Sequence, residues 1–176
     1  MNHTNFFQAS IQRLHRICIA WMLPFCWILG LLLGVAYGCR TDRSYILLMR
    51  IAASSRVSFV GLLFVLYIPL LLAAFAVYYK QQQWLLPICF LKAFLFASCG
   101  SALFTVYHSA TWLVRLLLQF SDFSFMPFLY WFCMKNMAGR NGNLLSDFLV
   151  CCIAGAIIGI FDFGIISPYL VKLIHI

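Results

Sequence analysis

Glutamate is absent from this chain, and its acids are four aspartates against twelve lysines and arginines. Without glutamate there can be no Glu-based acid/base site and no His-Glu-x-x-His metal helix. Charge of either sign is scarce. Only 9% of residues are charged, against about 25% in a soluble domain. No Cys-x-x-Cys occurs, no Gly-x-Ser-x-Gly elbow and no phosphate-cradling glycine loop, which removes the common zinc, serine-hydrolase and nucleotide sites. His3, His15, His108 and His175 fall at ends or loops, and His108 beside Ser109 has no evident orienting acid. The expectation is a chain that is not an enzyme and carries no cofactor or metal.

What is present in quantity is apolar surface. Of 176 residues 65% are hydrophobic and 18% aromatic, and the mean hydropathy is +0.98. A chain of this size cannot hide so much from water, so the composition reads as an integral membrane protein. The net charge of +8 fits basic residues at membrane borders. These residues are scattered between apolar runs rather than gathered in a patch, which argues against nucleic acid.

A helix needs about 20 apolar residues to cross the hydrocarbon. Five stretches qualify, at about 17–38, 57–79, 84–107, 112–134 and 145–171. The expected fold is therefore all-α, a single membrane domain with five transmembrane helices and the lipid bilayer as its first partner. Pro69, Pro127 and Pro168 lie inside these stretches, where neighbouring groups can satisfy the freed carbonyls. Trp21, Tyr78, Tyr79, Trp84, Trp112 and Tyr169 sit near the ends, as an interfacial belt requires. The connections are short except around residues 43–54, an apolar segment too short to span that reads as an interfacial helix. Arg13 and Arg16 before the first stretch resemble a signal-peptide start, but a run of about 22 residues exceeds a signal core of about 7–15. Ala36-Tyr37-Gly38-Cys39 has the outline of a lipidation box without its usual aliphatic residue. Basic residues tie between the two sides, so the first helix sets the expected orientation, N-terminus in the cytoplasm and the chain in the cell membrane.

The eight cysteines lie mostly in apolar runs, where a thiol is a small hydrophobe. Gly30, Gly34 and Gly38 repeat at four-residue spacing, as do Gly155 and Gly159. Such spacing lets helix backbones approach closely, either inside the bundle or in a homo-oligomer. Lys92, Arg115, Asp122 and Asp162 fall within the spans, and their charges cancel. A charge at the bilayer centre costs about 2.5–3.5 kcal/mol or more, so these residues should face inward and pair. With about 1.5 Å of rise per residue, Lys92 lies about 12 Å deep, Asp122 about 18 Å, Asp162 about 24 Å and Arg115 about 29 Å. That arithmetic predicts Lys92 with Asp122 and Arg115 with Asp162, as structural staples or as parts of a proton or ion relay.

Leu86-Pro87-Ile88-Cys89-Phe90-Leu91-Lys92-Ala93 resembles the Pro-x-x-x-Phe-x-Lys-Gly stretch of the stage II sporulation protein M family, with Ala93 where the family has glycine. An aromatic-rich turn at His108–Trp112 follows, then a polar break at Gln119–Asp122 and Met126-Pro127, in the family's order. The resemblance covers residues 60–135 in detail. It implies a non-catalytic scaffold that positions partners such as cell-wall hydrolases during sporulation. No catalytic residue carries over, and Lys92 carries over as a motif residue only. The alternative is a small membrane transport subunit, distinguished by a polar cavity open to one face.

Overall fold

The computed structural model of the chain describes residues 3–40, 59–106, 117, 119–137 and 143–169. The segment 43–54, Arg115 and most of the connection between the third and fourth helices lie outside them. Every regular element among the described residues is helical. Helix α1 is His3–Gly38, α2 is Phe59–Tyr78, α3 is Leu85–Val106, α4 is Phe120–Met137 and α5 is Leu144–Phe161. A 3₁₀ turn, Gln82–Trp84, leads into α3, and a π turn, Asp162–Ile166, continues α5. Three of these helical stretches are long and apolar enough to cross a membrane, at Trp21–Gly38, Gln82–Ala102 and Leu144–Tyr169; Val65–Tyr78 is a shorter apolar helix.

The boundaries depart from the apolar runs where polar sequence continues a helix. Helix α1 begins at His3 rather than near Ile17, because nothing in its polar first half breaks a helix; its one proline, Pro24, lies further on. Helix α4 runs to Met137, since Lys135 and Asn136 continue its turns at the polar end. Asn136 satisfies its own amide by donating to the Phe132 carbonyl at 2.8 Å. In the π turn the Ser167 N–H bonds back five residues to Asp162. Pro168 has no N–H with which to continue the ordinary ladder, and one widened turn absorbs the mismatch.

Helix α2 stops at a Schellman closure. Gln81 N–H reaches Ala76 O at 2.8 Å and Lys80 N–H reaches Val77 O at 3.0 Å. Lys80 takes the left-handed conformation, φ 59°, that glycine usually supplies there.

Helices α1 and α3 pack along the glycine series. Gly30 faces Phe90 and Ala93, Gly34 faces Phe94 and Ala97, and Gly38 faces Ser98 and Ser101. The offset is constant, so the two helices run parallel. A Cβ on Gly30 would stand 2.6 Å from the Phe90 carbonyl oxygen, and one on Gly34 2.5 Å from that of Phe94, so only glycine permits this approach. On α5, Gly155 leaves room for the rings of Tyr67 and Phe125, and Gly159 is buried on the same face. The glycines of α1 and Gly155 are thus taken up by contacts within the chain. The core they surround holds Leu23, Leu66, Leu70, Phe125, Leu129 and Phe132, all fully buried.

Candidate functional site: charged pairs inside the helical bundle

Lys92 sits on α3 one turn past Cys89, on the helix face that also buries Cys89 and Ala93. Asp122 sits in the first turn of α4. The two helices run antiparallel, fixed by Gln82 Nε2 donating to Asn136 O at 3.2 Å near one end and Gln119 Nε2 donating to Phe96 O at 3.2 Å near the other. Lys92 therefore starts below Asp122, and its four-carbon stem carries Nζ up to Asp122 Oδ1, at 2.8 Å. The residues are 7% and 8% exposed, so both charges are withdrawn from solvent and satisfy one another. A charge-assisted bond of this length in a low-dielectric interior is strong once formed, and removing one partner is costly.

Asp162 is also buried, on α5's inward stripe with Gly155 and Gly159. It begins the π turn, which sets it on the buried side while Phe161 and Phe163 face outward. Its expected partner Arg115 lies outside the described residues.

A second pair escaped the sequence reading. Lys135 near the end of α4 donates to Asp147 Oδ1 at 2.5 Å. Asp147 is in the first turn of α5 and 4% exposed. Lys135 Nζ also lies 4.9 Å from the centroid of the Trp131 ring, a distance at which a cation is attracted to the aromatic face. In the sequence the two residues stand on either side of Asn141-Gly142-Asn143, and they become neighbours only because α4 and α5 pack antiparallel. Asp147 gives little signal in the sequence because it sits at the edge of an apolar run.

Further polar links tie the helices. Tyr67 OH donates to the Cys152 carbonyl at 2.8 Å, joining α2 to α5. Cys151 Sγ donates to the Phe128 carbonyl at 3.5 Å. Ser121 Oγ and Asp147 Oδ2 are buried without a hydrogen-bond partner among the described residues. All eight cysteines are free thiols. No three His, Cys or Asp side chains among the described residues are placed to hold a metal ion. Among the described residues two lysines and two aspartates are matched one to one across helix contacts, and Asp162 is a further buried acid. Comparison with family models, with curated proteins and with solved structures finds no match to this chain.

Proposed function

We propose that the chain is a non-catalytic integral membrane scaffold of five spans. Its N-terminus is cytoplasmic, and it acts as the stage II sporulation protein M family does, by holding partner proteins such as cell-wall hydrolases at the membrane. The observation that supports this reading is the closed Lys92–Asp122 pair. A lysine and an aspartate buried at 7% and 8% exposure spend their charges on each other at 2.8 Å, in a mainly apolar interior. Such a pair clamps α3 to α4 and offers no free acid, base or nucleophile to a substrate. Lys92 is the lysine of the family-like motif, so the residue that carries the resemblance is also the one that ties the bundle together.

The experiment is affinity purification of the tagged full-length chain from detergent-solubilised membranes, with identification of what accompanies it. Co-purifying cell-wall enzymes support the scaffold. A chain that purifies alone and binds a small solute overturns it. One observation favours the second reading, a small transport subunit: Ser121 Oγ, next to the Lys92–Asp122 pair, and Asp147 Oδ2, within the second pair, are buried without a hydrogen-bond partner among the described residues. In that case Asp122→Asn abolishes solute uptake while the chain still folds. On the scaffold reading the same substitution loosens the bundle or its partner complex.

A further inference from the structure

The glycines of α1 face α3 within the same chain, and this leaves the opposite face of α1 to be explained. Along that face the helix carries an apolar residue at alternating steps of four and three, without a break from Phe7 through Ile11, Leu14 and Cys18 to Cys39. A seven-residue apolar repeat sustained over more than four heptads is the pattern of a helix seam that winds left-handedly around a neighbour. Within Trp21–Gly38 almost every residue is apolar, so there the pattern alone means little. The burial is informative instead: Trp21, Phe25 and Leu32 on this series are 75%, 65% and 64% exposed, whereas Leu23, Gly30 and Gly34 on the other side are buried.

The first half of the helix decides what covers the series. Before Ile17 the sequence is polar, with Asn5, Gln8, Gln12, Arg13, His15 and Arg16. Yet Phe7, Ile11 and Leu14 keep the repeat in register. Helix α1 is continuous over 36 residues, about 54 Å at 1.5 Å per residue, which is far more than a hydrocarbon core of about 30 Å. On the membrane reading, on which this inference rests, the apolar series therefore crosses the membrane boundary and runs on into water as one stripe of one helix. Lipid can cover only its buried half, and a soluble partner only the projecting half. A second copy of this chain covers both. Its α1 enters the same membrane at the same depth and in the same direction, so every position of the repeat meets its own equivalent about a two-fold axis along the membrane normal.

We propose that the chain forms a parallel homodimer through this face of α1, zipped from the projecting arm through the membrane span. The seam carries its own probes, because Cys18 and Cys39 lie on it and both are exposed.

The test reconstitutes the full chain in phosphatidylcholine vesicles and first confirms that alkaline carbonate fails to extract it. Chain that is extracted shows the membrane reading itself to be wrong, and the seam falls with it. With insertion established, oxidation by copper phenanthroline should give a cross-linked species of twice the 20.2 kDa chain mass, weakened in Cys18→Ser and in Cys39→Ser and lost when both are replaced. Energy transfer between labelled copies should fall as protein is diluted into lipid. Leu14→Asp, placed outside the membrane where it does not disturb insertion, should raise the protein-to-lipid ratio for half-association by about tenfold or more, as loss of a central contact does. Inserted chain that shows no energy transfer at any ratio overturns the proposal. So does association unaffected by Leu14→Asp with cross-links that do not require Cys18 or Cys39.

Discussion

At the scale of single residues, the informative side chains are those that chemistry discourages in an apolar interior. Lys92 and Asp122 survive there because each is the other's solvent. Replacing Lys92 by Met leaves a buried carboxylate that must either stay charged without a partner or take up a proton, and a loss of about 3–5 kcal/mol is expected. The double change Lys92→Met with Asp122→Leu removes both charges and fills similar volume, and should recover most of that loss. Heat or SDS unfolding of the purified variants in detergent checks both, and a double variant as weak as the single one would show that the pair does more than neutralise. This pair was legible from the sequence, because both residues interrupt long apolar runs and rise per residue alone put their depths within a lysine's reach. The Lys135–Asp147 pair was not, since both residues lie near helix ends, where a charge costs little and draws no notice. Only the antiparallel packing of α4 on α5 makes them neighbours. Asp147→Asn keeps the shape but loses the charge of the bond to Lys135; an expected loss of about 1.5–3 kcal/mol, read in the same unfolding assay, separates a functioning ion pair from an incidental one.

At the scale of elements, two joints carry distinct costs. The stop of α2 holds a lysine at φ 59°, a conformation that costs an L-residue roughly 1–2 kcal/mol. Lys80 is exposed, so Lys80→Gly should relieve that cost and raise the unfolding midpoint with no other change in the fold. The α1–α3 seam is the opposite case. Gly34→Leu puts a side chain where 2.5 Å separates a Cβ from a carbonyl oxygen, and overpacking of about 1–3 kcal/mol or separation of the two helices should follow. Increased protease sensitivity of α1 alone, with α3–α5 still protected, would locate the damage. The four-residue glycine spacing announced a close helix contact in the sequence. It could not say with which helix, because small residues license an approach without naming the partner. The polar first half of α1 was illegible for a different reason: apolar length marks where a helix must be, and polar sequence does not mark where it stops. The π turn at Asp162–Ile166 was hidden likewise, since Pro168 signals a lost hydrogen bond and leaves open how the chain absorbs it.

At the scale of the whole molecule, five helices with α1 parallel to α3 and α4 antiparallel to α3 give an alternating path, and on the proposed membrane reading the two chain ends lie on opposite sides. Asn5→Cys should then react with an impermeant maleimide only from the cytoplasmic side, and His175→Cys only from the other, in a chain whose exposed cysteines have been replaced. Labelling of both from one side would require an even number of crossings. Charge is no guide to which end is cytoplasmic, because on the five-span reading the basic residues divide equally between the two sides; the labelling has to decide it.

The parallel seam between the first and third helices also sets an order of assembly in time. The surface that Gly30 and Gly34 present is completed by residues synthesised roughly sixty positions later, and at about 5–20 residues per second the first helix waits several seconds for its neighbour. During that interval the face that carries Gly30 and Gly34 is open. A nascent chain halted after Tyr79 would hold that face uncovered, and on the proposed membrane reading this is the stage at which the inserting chain most needs protection.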